Sequence, residues 1–438
     1  MTDAATDLRQ LAATRRLIAH IAERLDGGIA VRLWNGEVIP LGPRADLGYQ
    51  VIITSAAVLG SLLRRPTLEN LMLHYAEGLI ALEGGDLITF VEAARRGGTR
   101  LKLRDLDKRL LLGCLWTLIR APSTGIGRRH AFDRDETGRS GPRFERDYIQ
   151  FHYDIGDDFY ALFLDPAMQY SCAYFTDFTN DIATAQTDKL DLICRKLRLR
   201  PGDRLLDIGC GWAGLVCHAA LQYGVTAHGV TLSQSQHDFA QAKIAALGLQ
   251  DRVRVELKDY RMVEGQYGKI ASIGMYEHVG IANYPTYFAK LKSLLRPGGV
   301  LLNHGITRRA KADPKRFRRI RPENRLILKY VFPGSELDHV GHSVAAMEAA
   351  GFEVHDVEGL REHYAQTTRL WCQRLSARRD EAVALVGEAR YRLWVGYLAG
   401  VSFAFQSGAL RLFQTVATHH VKYRATELPP TRADLYRG

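Results

Sequence analysis

A chain of 438 residues, 46% apolar and 24% charged, is longer than one ordinary core needs, and its composition excludes the disordered and fibrous classes. Its net charge of +11 implies an acidic partner, either nucleic acid or anionic lipid, and composition alone does not choose between them. Six cysteines (Cys114, Cys172, Cys194, Cys210, Cys217, Cys372) show no zinc-like pairing, so no metal site is expected and a reducing cytoplasm suits them.

The first residues are polar and acidic (Thr2, Asp3, Asp7) and do not read as a signal peptide. Residues 1–123 read as a small α+β accessory domain. An amphipathic helix over Leu8–Leu25 leads to alternating Ile29, Val31 and Leu33, an Asn35-Gly36 hairpin signal, a strand at Val51–Ile53 and then helical patterns. No cluster of acids, nucleophiles or metal ligands stands out there, which suits a lipid-contacting or dimerising module, and a homodimer is one expectation. Residues 124–147, rich in charge, Gly and Pro, read as a linker.

From 148 to 438, strand-like and helical patterns alternate. Strands are expected at Arg204–Ile208, Val225–Thr231, Val253–Leu257, Lys269–Met275 and Gly299–Asn303, with a helix at Leu215–Tyr223. Such alternation predicts an α/β fold, a doubly wound sheet with helices on both faces. The longest uncharged stretch, Leu393–Leu410, is diluted by Ser402, Gln406, Ser407 and three glycines, and reads as a buried helix rather than a membrane span. Extended to Leu412, with Phe403, Phe405 and Phe413, it suits a helix lining an acyl tunnel or a plain core helix.

The strongest local signal is Asp207-Ile208-Gly209-Cys210-Gly211-Trp212-Ala213-Gly214, between a strand and a helix. Glycines there let the backbone approach a ligand without an intervening Cβ. Two features favour a methionine-type cofactor over NAD. The acid lies two residues before the first glycine, and Thr231-Leu232-Ser233 ends the next strand, where a dinucleotide fold would carry a ribose-binding carboxylate. DNA amino-methyltransferases carry an Asn/Asp-Pro-Pro-aromatic run at the end of the fourth strand. Gly274-Met275-Tyr276-Glu277-His278-Val279-Gly280 stands there instead, which argues against nucleic acid as the acceptor.

Several further motifs occur in one order: Phe151-His152-Tyr153-Asp154-Ile155-Gly156-Asp157-Asp158-Phe159-Tyr160, Met168-Gln169-Tyr170-Ser171-Cys172-Ala173-Tyr174-Phe175, Gly229-Val230-Thr231-Leu232, Met275-Tyr276-Glu277-His278 and Tyr330-Val331-Phe332-Pro333. With the glycine loop, they make residues 148–412 resemble the cyclopropane-fatty-acid synthase and mycolic-acid cyclopropane synthase family. The N-terminal extension resembles the accessory domain of its bacterial phospholipid-acting members. The resemblance implies a Rossmann-like methyltransferase domain with a lipid-binding lid, S-adenosylmethionine as cofactor and bicarbonate as a bound base. Carried over residue by residue, it implies a bicarbonate site of Cys172, Glu277, His304, Ile306 (through its backbone) and Tyr364. It also implies cofactor contacts from Tyr170, Ser171, Gly209, Gly211, Thr231, Leu232, Gln236, Tyr260 and Arg261. Two departures stand out: Ala213 replaces a usual glycine, and Tyr276 replaces a usual phenylalanine, adding a hydroxyl expected near the base site.

Between Arg308 and Lys329 lie ten basic residues and two acidic ones, a segment suited to an anionic bilayer. The expected reaction is transfer of a methylene across a cis double bond of a phospholipid acyl chain, on the inner face of the cytoplasmic membrane. Rival expectations are a methylene- or methyl-branched product, and a lipid-binding homologue without turnover.

Overall fold

The computed structural model describes residues 4–96, 107–122, 124–126, 155–318, 328–331 and 335–436. Outside the described residues lie most of the expected linker, Phe151–Asp154 of the first motif, Phe332 and Pro333, and Arg319, Arg321 and Arg325 of the basic segment.

The chain forms two compact units. The first comprises Met1–Ala131 together with Ile320–Tyr330 and Cys372–Ala399. Its sheet has the order β2-β1-β3-β4, from β1 (Ala30–Arg32), β2 (Val38–Pro40), β3 (Gln50–Ile53) and β4 (Ile80–Glu83). The hairpin expected at Asn35-Gly36 joins β1 to β2, with the Gly36 N–H donating to Leu33 O at 2.9 Å. The first helix, Ala4–Ala22, lays Ile18 onto a core of Val31, Leu33, Ile53, Val58 and Ile80. Thr67, Asp86 and Asp107 accept backbone N–H bonds at three helix N-termini, satisfying donors that the helices leave open. Within this unit, Lys329 pairs with Glu69 at 2.7 Å, and the Arg392 guanidinium donates to Tyr75 O at 3.2 Å.

The second unit carries a seven-stranded sheet of order β10-β11-β9-β8-β5-β6-β7. Its strands are β5 (Arg204–Ile208), β6 (Thr226–Thr231), β7 (Val253–Leu257), β8 (Tyr267–Ile273), β9 (Leu295–Arg308), β10 (Phe352–Gly359) and β11 (Leu410–His419). β5 to β9 are parallel to one another, while β11 runs antiparallel between β9 and β10. The central parallel strands β5, β6 and β8 are nearly continuous runs of buried residues, as expected of a sheet covered on both faces. The strand order reverses between β5 and β8, so ligands are expected beyond their carboxyl ends.

One expectation is corrected. The helix foreseen through Leu412 ends at Gln406, and Leu410, Leu412 and Phe413 belong to β11. Gly408 stops the helix at φ +70°, with its N–H donating to Phe405 O and the Ala409 N–H to Ala404 O, both at 3.0 Å. No described helix is long and apolar enough to cross a membrane.

Candidate active site

At the carboxyl end of β5 the chain turns through Gly209 (φ +77°) and Gly211 (φ +53°), then starts the helix Gly214–Tyr223. Ala213 also adopts the left-handed conformation (φ +61°), so the alanine keeps the turn. One carboxylate braces this loop: Asp157 accepts from Trp212 Nε1 at 2.7 Å and from Ser235 Oγ at 2.6 Å. Ser235 stands at the start of the helix Gln234–Ala246, which follows β6. The loop and the segment after β6 therefore share one brace.

Between them lies a cavity of ≈ 980 Å³, its open mouth included. Tyr170, Ser171, Gly209, Gly211, Thr231, Leu232, Gln236 and Tyr260 all line it. Arg261 does not line it. Its guanidinium is held by Asp259, with Nε at 2.9 Å from Oδ1, and lies 5.4 Å from the Tyr260 ring centroid, while Lys258 faces the cavity. Thr231 Oγ1 donates to Gln236 Oε1 at 2.8 Å, fixing both side chains at the wall.

Sequence reasoning missed three other lining groups: Gln169, Lys189 and His278. Lys189 comes from the helix Ile182–Lys196, is fully buried, and donates to Gln169 Oε1 at 2.6 Å and Ser171 Oγ at 3.0 Å. Burial pushes it down to about 8 and pushes Asp207 up to about 7, each partly offset by attraction to the other. Asp207 Oδ1 is buried without a hydrogen-bond partner among the described residues. A buried carboxylate oxygen left open, beside glycines that bare the backbone, fits the cationic methionine end of S-adenosylmethionine.

A second cluster forms along β9. The short helix Tyr276–Val279 follows β8 and turns Glu277 inward, where its Oε1 accepts the Ile306 N–H at 2.6 Å. His304, two residues earlier on the same strand, is 1% exposed. Burial pushes Glu277 up to about 7 and the His304 ring down to about 3. Glu277 Oε2 and His304 Nε2 have no partner among the described residues. Both polar atoms are buried, and burial without a bond costs about 1–3 kcal/mol per group.

The strand register relates the remaining candidates. Ile306 pairs with Leu412, whose carbonyl accepts the Leu360 N–H at 2.9 Å. The Leu360 carbonyl in turn receives the Tyr364 N–H at 3.1 Å, and Cys172 Sγ lies 3.8 Å from it. Cys172 is fully buried, which raises its thiol well above the usual range. The Tyr364 ring stacks on Phe405 at 4.7 Å and meets Trp371 edge-on at 6.1 Å. Trp371 then packs on Tyr170 at 5.3 Å, so an aromatic path joins this cluster to the cavity.

The Tyr276 hydroxyl corrects a second expectation. A Cβ on Gly305 would meet the Tyr276 ring at 2.8 Å, so the ring covers the face of β9 opposite to His304 and Ile306. There it stacks on Tyr284 at 4.5 Å and bonds Ser343 Oγ. It does not lie on the face of β9 that carries His304 and Ile306.

The family model described as mycolic acid cyclopropane synthetase matches residues 142–415. A probable fatty acid methyltransferase of Pseudomonas putida is 37% identical over 413 residues, 93% of this chain and 96% of that protein. The cyclopropane-fatty-acyl-phospholipid synthase of Escherichia coli K12 is 38% identical over 274 residues, 62% of this chain and 67% of that one. Among solved structures, the cyclopropane synthase MmaA2 from Mycobacterium tuberculosis superposes with a TM-score of 0.59 at 32% identity, covering 65% of this chain and all of that one. The glycine loop, its cavity and the buried cluster on β9 thus belong to a member of the mycolic acid cyclopropane synthetase family of S-adenosylmethionine-dependent methyltransferases.

Proposed function

We propose that the chain is a cyclopropane-fatty-acyl-phospholipid synthase, adding a methylene across a cis double bond of a phospholipid acyl chain. The observation that carries this reading is the pair of buried polar atoms without partners among the described residues, Glu277 Oε2 and His304 Nε2. An alkene is a weak nucleophile, so it reacts only when held in line with the methyl donor in a dry site. S-adenosylmethionine supplies that methyl as an electrophile when bound in the cavity. The alkene π pair would form the new C–C bond as the methyl–sulfur bond breaks, its pair staying on the departing S-adenosylhomocysteine, and leave a cation on the neighbouring carbon. Loss of a proton from the new methyl releases the C–H pair that closes the ring.

A protein carboxylate touching that cation would itself be alkylated. Hydrogencarbonate, when bound, supplies a base in its place. Glu277 and His304 offer an acceptor and a ring nitrogen to such an ion, the Ile306 N–H steadies Glu277, and Cys172 and Tyr364 stand on the adjoining backbone. The His304 ring is neutral at pH 7, so it adds no charge to repel the cation.

A second reading is a methyl- or methylene-branched product, made by losing a different proton from the same cation and completed by a separate reductase. The name of the Pseudomonas putida relative, a probable fatty acid methyltransferase, favours it. The deciding experiment supplies labelled cofactor to mixed phospholipid vesicles and hydrogenates the product mildly. A ring keeps its hydrogen count, whereas an alkene gains two hydrogens. Label absent from lipid would overturn both readings.

Membrane association forms part of the proposal. Arg309, Lys311, Lys315 and Arg316 are exposed just beyond β9, and among the described residues Arg316 alone of the four approaches an acid, Asp313, at 3.6 Å. Each cation near an anionic surface contributes about 1 kcal/mol. Changing all four to Gln should weaken sedimentation with anionic vesicles and flatten its salt dependence, with cofactor affinity unchanged. Unaltered sedimentation would make this face merely solvated.

A further inference from the structure

The register of β9, β11 and β10 places His304 opposite Gln414, and Gln414 opposite Glu358, in one row across three strands. Lys196, the last residue of the helix Ile182–Lys196, reaches this row fully buried. Its ammonium pairs with Glu358 and donates to Gln414 Oε1 at 2.7 Å. Gln414 Nε2 lies 3.2 Å from His304 Nδ1. Gln414 is itself fully buried, so no solvent competes for its amide.

These contacts have a direction. An ammonium only donates, so the oxygen of Gln414 must face Lys196 and the NH₂ must face His304. An NH₂ only donates, so His304 Nδ1 must accept and carry no proton. A neutral imidazole protonated at one nitrogen then carries its hydrogen on Nε2, the atom that lies buried without a protein partner.

We infer that Lys196 and Gln414 are positioning residues that fix the tautomer of His304, so that the ring presents an N–H rather than a lone pair to the base site. Glu277 presents only lone pairs when ionised, so in that form the site holds one donor, fixed by the row, and one acceptor. A ligand with both an O–H and an anionic oxygen, such as hydrogencarbonate, matches that pair, the O–H toward Glu277 and an anionic oxygen toward His304. An imidazole turned the other way would oppose the ligand's oxygen with a lone pair. The tautomer itself follows from the hydrogen-bond row alone, whereas its effect on turnover rests on the function proposed above.

Gln414→Glu tests this, because a glutamate still pairs with Lys196 but has only acceptors to offer His304. The readout is ¹⁵N NMR of the full chain labelled at histidine, with the His304 signals identified by their loss in His304→Gln. In the wild type, Nε2 should appear as the protonated, pyrrole-type nitrogen and Nδ1 as the unprotonated, pyridine-type one. In Gln414→Glu, Nδ1 should become protonated, turnover should fall about 10–100-fold as for other orienting partners of a reactive group, and cofactor affinity by calorimetry should hold. Should Gln414→Glu fail to fold, Lys196→Met frees the amide to turn and should give a mixture of tautomers. A protonated Nδ1 in the wild type, or a wild-type tautomer in both variants, would overturn the inference. A shifted tautomer with undiminished turnover would uphold it while removing His304 from the proposed chemistry.

Discussion

Glu277→Gln should lower turnover by about 10²-fold or more, the contribution usual for a group that organises proton transfer, while cofactor affinity stays at the wild-type value. If Glu277 and His304 hold an ion rather than act directly, added bicarbonate at fixed pH and ionic strength should restore part of the lost rate. Mass action refills a weakened site. Loss of a carboxylate that itself removes the proton admits no such relief. The measurement starts from carbonate-depleted buffer and follows variant and wild type with and without the ion. No response in either would sink the bicarbonate assignment and leave Glu277 or His304 as the base.

The same substitution has a second, opposite effect on stability. Burial raises the Glu277 carboxyl to about 7 in the folded chain, above its ordinary value of 4.5. Below about pH 4.5 the group is neutral in both states, and Glu and Gln should be equivalent. As pH climbs from there to about 7, the unfolded chain ionises first and the folded state loses stability relative to it. Above pH 7, Glu277→Gln should therefore be more stable than the wild type in denaturant titrations, by on the order of 3 kcal/mol. A variant that is slower yet sturdier would separate a chemical role from a structural one.

Gly211→Val should remove cofactor binding. At φ +53° a β-branched side chain is strained by about 1–2 kcal/mol. A Cβ there would meet nothing within 4 Å, and Gly211 lines the cavity, so the added side chain would compete with a ligand for that space. Calorimetric titration with S-adenosylhomocysteine should show affinity reduced roughly 100-fold or more, about 3 kcal/mol. The melting temperature should fall only modestly. Ordinary affinity would refute the placement of the loop as the cofactor's cradle.

The parallel half of the sheet was legible because each strand is a short apolar run between helical patterns, ending in recognisable turns. β10 was not, since after Phe352 exposed residues alternate with half-buried ones and its acids Glu353, Asp356 and Glu358 read as surface. β11 was hidden behind the uncharged run that begins at Leu393, where only Gly408 signalled the break. The glycine loop declared itself locally. Lys189, Lys196 and Gln414 did not, because their roles come from contacts across 18, 162 and 110 residues of chain, which no local spacing encodes. Tyr276 misled for a related reason: proximity in sequence to Glu277 says nothing of which face of β9 its ring covers.

Asp157 spends both carboxylate oxygens inside the protein, one on Trp212 beside the glycine loop and one on Ser235 after β6. The two walls of the cavity are thereby linked through a single residue that precedes the whole sheet in sequence. Losing either bond frees that carboxylate to reorganise around the other, so the energetic effects of changes at Trp212 and Ser235 cannot be independent. Change in the segment after β6 would therefore be felt by the glycine loop, and change in the loop by that segment.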